Sequence, residues 1–490
     1  MTASLEAPVA AVTGRPPLYR WRWLAFTAVM ASSVMDLLDS TVINVAAPAI
    51  RADLGGSYAT LQWMAAGYTM ALAVVLLIGG RLGDIFGRKR MLMIGAGGFT
   101  VASLICAFAV SPEMLLAARV LQGVFGAVML PQGFGLIRDM FPAEEMKKAW
   151  TAFGPIMGLS AVLGPVIGGV LIDADLFGTG WRMIFLVNVP IGAYVLIVAG
   201  RFLPSVPPAA RSARIDKVSV LLAAAGTAML IFPLVQGREL GWPAWILALL
   251  VGSVPVIALF GWYQLRRKRA GATPLLEPSV FAKRSYLSGA FFAVAFTGAM
   301  GGTMLTLGIF MQIGLGYSPL RASLTMAPWA LGAMIGSGVS GALMARLGRR
   351  LLHAGLAGMA IGLVLLVAVL RVAGADGLGS GHFIVPLLIG GTGMGMIFVP
   401  LYDIVMGDVE DHEVGSATSA IQAIQQLGMS LGVAVIGTIF FQVLGDAPGP
   451  AHVRAALSAA ETTSLVTIGV IAVAFLLGFK LPRKAREHSM

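Results

Sequence analysis

One cysteine, Cys106, stands among 490 residues, so neither an intrachain disulfide nor a cysteine-built metal cluster can form. A lone small thiol inside an apolar stretch reads as a packing residue. Charge is almost as scarce. Only 12% of the chain is Asp, Glu, Lys or Arg while 58% is hydrophobic, and the mean hydropathy of +0.86 excludes a soluble domain in favour of a polytopic membrane protein. Histidine is absent from mid-span positions: His353, His382, His412, His452 and His488 all fall near the ends of apolar runs, which removes imidazole as an intramembrane proton carrier. The chain has no phosphate-binding GxxxxGK[ST] loop, which argues against an ATP-driven pump. It offers no nucleophile–base or metal-ligand set, so no enzyme, metal or cofactor is expected. Residues 1–20 are polar and Pro-containing and lack the apolar core of a secretory leader, so the first span is expected to direct its own insertion.

What is present is apolar sequence in span-length blocks. Segments of about 20 apolar residues, enough to cross about 30 Å of hydrocarbon, are placed at 23–50, 58–80, 91–110, 112–138, 149–172, 181–203, 216–236, 242–265, 286–313, 319–345, 351–371, 382–406, 415–444 and 460–481. An even number of spans, fourteen, puts both ends on one side. Alternate connections hold 27 of the 34 Lys and Arg residues, and the positive-inside rule makes that side, with both termini, cytoplasmic. The net charge of +11 is therefore a topology signal, with the lipid bilayer rather than nucleic acid as its partner.

The first span carries the most informative chemistry. Ser32 to Pro48 reads SSVMDLLDSTVINVAAP and places Asp36 and Asp39 inside apolar sequence. At about 100° per residue, Ser32, Ser33, Asp36, Asp39, Ser40 and Asn44 share an arc, and Val34, Leu38, Val42 and Val45 form what is expected to be the lipid face. An ionised carboxylate at that depth costs about 2.5 to 3.5 kcal/mol on insertion scales, so each acid must be protonated, paired or wetted. Arg119, counted inward from Pro112, falls at about the same depth as both acids. A cation there and two neighbouring carboxylates form a set whose proton affinity responds to its surroundings, although a permanent structural salt bridge would satisfy the same residues.

The chain also repeats itself. GGRLGDIFGRKR at 79–90 is echoed by SGALMARLGRRL at 340–351, with Gly80, Leu82, Gly87 and Arg88 matching Gly341, Leu343, Gly348 and Arg349 at a constant offset of 261. Two related six-helix halves follow, with an inserted pair between them. The segments are a tail at 1–20, a first bundle at 21–203, an inserted pair with its linkers at 204–284, a second bundle at 285–482 and a tail at 483–490.

These residues carry a resemblance. LDSTVINVAAP (38–48), GRLGDIFGRKR (80–90), RVLQGVFGA (119–127) and GLSAVLGPVIGG (158–169) resemble motifs of the major facilitator superfamily, and within it of the fourteen-helix drug:proton antiporters. WRMIFLVNVPIG (181–192) is similar to the opening of that family's sixth span.

The resemblance implies an all-α membrane fold of two six-helix bundles plus two inserted helices. It implies an exporter driven by the proton-motive force, without a cofactor, that moves amphipathic cationic or zwitterionic small molecules out across the plasma membrane. Asp39 occupies the family's span-1 acid position, with Asp36 and Arg119 as its partners in proton coupling. Asp84, Arg88 and Asp139 correspond to a charge cluster that locks the cytoplasmic side, to which Asp403 is added as a gate candidate. Gly158, Gly164, Pro165, Gly168 and Gly169 form the antiporter helix-packing motif. Asn44, Trp63, Tyr68, Gln312, Trp329 and Gln422 are candidate cavity residues, and a monomer is the expected working unit. Two other readings stay open: a dedicated exporter of one endogenous metabolite or antibiotic, and a transport-inactive membrane receptor.

Overall fold

The computed structural model describes residues 19–142, 145, 164–205, 216–237, 239–272, 274–374, 377–410, 413–445 and 450–482. Thirteen helices among them are long and apolar enough to cross a membrane. The first half comprises α1 (Arg22–Leu54), α2 (Tyr58–Phe86), α3 (Arg88–Ala107), α4 (Pro112–Met140) and α6 (Gly180–Phe202). The inserted pair is α7 (Lys217–Gln236) and α8 (Ala244–Arg269). The second half comprises α9 (Arg284–Ile309), α10 (Pro319–Leu347), α11 (Arg349–Ala373), α12 (Ile384–Met406), α13 (Val414–Leu444) and α14 (Pro450–Gly478). The fifth span is described only over Gly164–Asp173, here α5.

Local chemistry sets several helix starts. Ser57, Ser111 and Ser318 accept a backbone N–H three residues on, and Pro112 and Pro319 occupy first-turn positions where no donor is needed. Asp216 caps α7 in the same way through Ser219 N, at 3.0 Å. Burial opposes ionisation of its carboxyl, yet the bonds from Ser219 and the nearby Arg267 hold it below the usual carboxylate range.

The repeat is visible in both backbone and packing. Gly87 joins α2 to α3 with φ +93°, and Gly348, 261 residues on, joins α10 to α11 with φ +49°. Both turns use a positive φ that glycine adopts without steric cost. α2 and α3 each pack on α4 as α10 and α11 each pack on α12, and α1 and α3 pack on α6 as α9 and α11 pack on α14.

The halves meet chiefly through α2 and α13. This seam runs from Gly80, where a Cβ would lie 3.0 Å from Ser419 Oγ, to Gln62 beside Thr438 at 3.5 Å. α7 lies against both α2 and α13, whereas most of α8 outside its contact with α7 is exposed. The inserted pair thus braces the seam from outside, with Thr438 donating to Leu234 O at 2.7 Å.

The expected lipid face of α1 is not one. Leu38, Val42 and Val45 are buried and Val34 is half-buried, and α5 lies against Leu38 and Val42. A Cβ on Gly164 would fall 2.1 Å from Thr41 Oγ1, and one on Gly168 would fall 2.1 Å from Val42 Cγ2. The small residues of α5 allow a backbone approach that helical periodicity alone could not reveal.

Candidate functional site

Five helices of the first half converge on Asp39. It stands about 25 Å along α1 from Arg22 and about 22 Å from Leu54 at 1.5 Å per residue. Its carboxylate is sealed, with 1% of the residue exposed, and Arg119 beside it is fully buried. Arg119 Nη1 is ion-paired to Asp39 Oδ2. Two amides serve the other oxygen: Gln122 Nε2 donates to Asp39 Oδ1 at 2.8 Å, and Asn188 Nδ2 donates to it at 2.9 Å. Both amides also donate to Ser103 Oγ, at 2.9 and 3.3 Å.

Arg119 is itself clamped. Nη1 also donates to Gln122 Oε1 at 2.7 Å, Nε donates to Met64 O at 3.2 Å, and the guanidinium lies 4.3 Å from the Tyr68 ring centroid. Two buried atoms of this cluster lack a hydrogen-bond partner among the described residues: Arg119 Nη2 and Asn188 Oδ1. A buried orphan atom costs about 1 to 3 kcal/mol and calls for an explanation.

Asp36 lies one turn from Asp39 in different surroundings. It is 8% exposed, accepts the Tyr68 hydroxyl, and is packed so closely that a Cβ on Gly126 would come within 3.0 Å of Oδ1. A neutral phenol holds one acid and a guanidinium holds the other. Tyr68 touches both systems, through its hydroxyl and through its ring.

The structure therefore brings together Asp36, Asp39, Arg119 and Tyr68. At the end of the first half where α1 begins it also joins Arg88 to Asp139, with Nη1 3.0 Å from each carboxylate oxygen. Glycine makes room there too, since a Cβ on Gly135 would lie 2.6 Å from Arg88 Nε. Asp403 does not join that pair. It is exposed near the end of α12, and no hydrogen bond or ion pair involving it is found among the described residues. The side chains of Asn44 and Asp84, and all of Gly158, lie outside the described residues.

Several cavity candidates are engaged in packing between helices. Trp63 Nε1 donates to Gln236 Oε1 of α7 at 3.2 Å, and its ring lies 6.1 Å from that of Phe232. It faces the inserted pair instead of the interior of the first half. Trp329 is buried where α10 crosses α12, against Gly390 and Gly391. Gln312 Nε2 donates to Gly308 O at 3.3 Å, in the π-turn that ends the α9 span. Gln422 is half-buried on α13.

Of the acidic run after α12, Glu413 is buried on Lys283 and Ser279. Burial works against its ionisation, but hydrogen bonds from Lys283 and Ser279 outweigh that and hold the carboxyl down at about 2. This acid pins the linker to α13 within the second half.

Sequence reasoning missed Gln122, Asn188 and Ser103. Gln122 was open to discovery, three residues after Arg119 and so on the same helical face. Asn188 is one polar residue in an otherwise apolar stretch, WRMIFLVNVPIG, and Ser103 looks like any small residue in α3.

Pressure of chemistry and architecture leads to one class. Membrane-length helices in two internally related halves, with charged side chains sealed deep inside one of them, are the build of a secondary transporter. The chain belongs to the Major Facilitator Superfamily, whose profile matches residues 29–433. It is 47% identical over 457 residues to a protein of Streptomyces coelicolor named "Probable actinorhodin transporter", covering 91% of this chain and 79% of that one. It is 32% identical over 436 residues to the "Putative multidrug resistance protein MdtD" of Klebsiella pneumoniae, covering 87% and 88% of the two chains. A solved proton dependent oligopeptide transporter shares the fold with a TM-score of 0.65 at 14% identity, over 94% of this chain and 99% of that one.

Proposed function

We propose that this transporter is an exporter that exchanges protons for small molecules by alternating access between its two halves. The observation that carries the reading is the paired acid system of α1. Asp39 is sealed against Arg119, while Asp36, one turn away, is held among the described residues by the Tyr68 hydroxyl. In this scheme a proton entering from outside loads the acids, and its departure to the cytoplasm accompanies exchange of substrate. The inward proton gradient supplies the drive, with about 2.3 kcal/mol per charge for each 100 mV of potential. Both termini lie in the cytoplasm, the membrane is the plasma membrane, and one copy suffices.

Arg119 offsets the charge of Asp39, which leaves Asp36 as the acid available to a cationic or zwitterionic amphipathic substrate. Substrate-driven proton release from purified protein in weak buffer tests this. Addition of a transported cationic dye is expected to release protons from the wild type, with the signal lost in Asp39→Asn and reduced in Asp36→Asn. Unchanged release in both variants would remove the acids from the mechanism.

A second reading is a dedicated exporter of one antibiotic, favoured by 47% identity to a relative named for a single compound. A panel of chemically unrelated toxic compounds separates the two. Protection against many supports the broad exporter, and protection against one supports the dedicated exporter.

A further inference from the structure

Arg119, Gln122 and Asn188, the described side chains hydrogen-bonded to Asp39, all donate to it, which suits a carboxylate and leaves a carboxylic acid with nowhere to point its proton. Arg119 has no acceptor atom. Gln122 has one, Oε1, but it is committed to Arg119 Nη1 at 2.7 Å, and turning that amide would set its NH₂ against the guanidinium. The Ser103 hydroxyl donates to Phe99 O at 2.9 Å. Tyr68 is committed to Asp36, and the Cys106 thiol points to Gln122 Oε1 at 3.7 Å. Asn188 differs from all of these: its Nδ2 contacts Asp39 Oδ1 while its Oδ1 is buried without a partner among the described residues.

We infer that Asn188 is a positioning residue that reverses its amide when Asp39 takes up a proton, so that one side chain serves both charge states. With Asp39 ionised, Nδ2 donates to the carboxylate and Oδ1 idles. With Asp39 protonated, a half-turn of the amide brings Oδ1 to the acid O–H, and the Ser103 hydroxyl can swing from Phe99 O to the same oxygen. The only bond made or broken is the O–H on Asp39 Oδ1, with its proton drawn from and returned to water. The titratable or charged groups facing this exchange are Asp36 on α1, Tyr68 on α2, Cys106 on α3 and Arg119 on α4, and α6 contributes only Asn188 itself. The inference rests on the proton-coupling reading above and adds the residue that makes both states of Asp39 tolerable inside a sealed site.

The chain contains only two asparagines, Asn44 and Asn188, so labelled asparagine is close to a single-site probe. Full-length protein in liposomes, prepared with isotope-labelled asparagine, is titrated while infrared difference spectra are recorded. The band lost in Asn188→Gln identifies the Asn188 amide. As the Asp39 acid carbonyl band appears, the Asn188 carbonyl is expected to move to lower frequency, from an unbonded to a hydrogen-bonded position, and Asp39→Ser is expected to abolish the movement. Asn188→Leu is expected to shift the midpoint of the Asp39 band by about one pH unit or more. An Asp39 acid band that rises while the Asn188 carbonyl stays fixed overturns the inference and leaves the coupling reading standing. Absence of any Asp39 acid band across the working pH range overturns both.

Discussion

Arg119 and Asp39 neutralise one another across the gap between α4 and α1, where neither side chain has more than 1% of its surface exposed. Such a pair has surrendered its hydration, so its attraction must be supplemented by other hydrogen bonds to be tolerated. Gln122, Asn188 and Met64 O supply them. Two charges that cost this much and face no solvent in the described state are a natural place for a cycle to store and release a proton.

Removing one member of the pair strands the other. Arg119→Ala is expected to destabilise the protein by about 3 to 5 kcal/mol, the usual cost of an uncompensated buried charge. Adding Asp39→Asn is expected to recover most of that loss. Thermal unfolding in detergent checks both variants, and equal midpoints for the single and double variants would contradict the ion-pair account.

The glycines of α5 make a second prediction where α5 meets the start of α10. A Cβ on Gly169 would lie 2.8 Å from Leu320 Cα, and nearby Asp173 Oδ2 accepts from Ser318 Oγ at 2.7 Å. Cysteines replacing Asp173 and Ser318 in a Cys106→Ala background are expected to cross-link readily. Gly169→Val is expected to cut the yield severalfold by forcing α5 away from α10. An undiminished yield would mean that this contact tolerates a side chain the structure has no room for.

The linker latch responds to pH with a defined sign. The Glu413 carboxyl is depressed to about 2 in the fold, from an ordinary value of 4.5. Its contribution to stability is therefore complete above about pH 4.5 and fades as pH falls toward 2. The difference in melting temperature between wild type and Glu413→Gln is expected to be largest near neutrality and to shrink steadily below pH 4.5. A difference independent of pH would show that charge plays no part there.

At the end of the first half where α1 begins, Arg88→Gln and Asp139→Asn are each expected to lower transport about tenfold, in line with the ~1.5 kcal/mol of a hydrogen bond to a charged group. The exchanged pair, Arg88→Asp with Asp139→Arg, is expected to regain part of it. Transport assays on the three variants decide whether this pair contributes to closure.

Much of the architecture was legible because membrane physics is written in composition. Span length and a glycine turn repeated 261 residues apart mark helices and halves, and the structure repeats the turn at Gly87 and Gly348. Asp36, Asp39 and Arg119 stood out because charge inside apolar sequence is rare. The rest depended on which side chains face each other. Leu38 and Val42 looked lipid-facing until α5 covered them, and Trp63 looked like a cavity residue until α7 claimed its indole. Asn188 and Ser103 come from other helices, and only tertiary packing sets them against Asp39.

The central claim is that protons passing through the Asp36–Asp39 system drive export, and efflux of a cationic dye from proteoliposomes under an imposed proton gradient tests it most directly. The account predicts uphill transport by the wild type that vanishes when the pH and voltage differences are collapsed. It also predicts an Asp39→Asn variant that still exchanges dye for dye but no longer moves it uphill. Uphill transport by Asp39→Asn at the wild-type rate, or wild-type accumulation that survives collapse of both gradients, would contradict it.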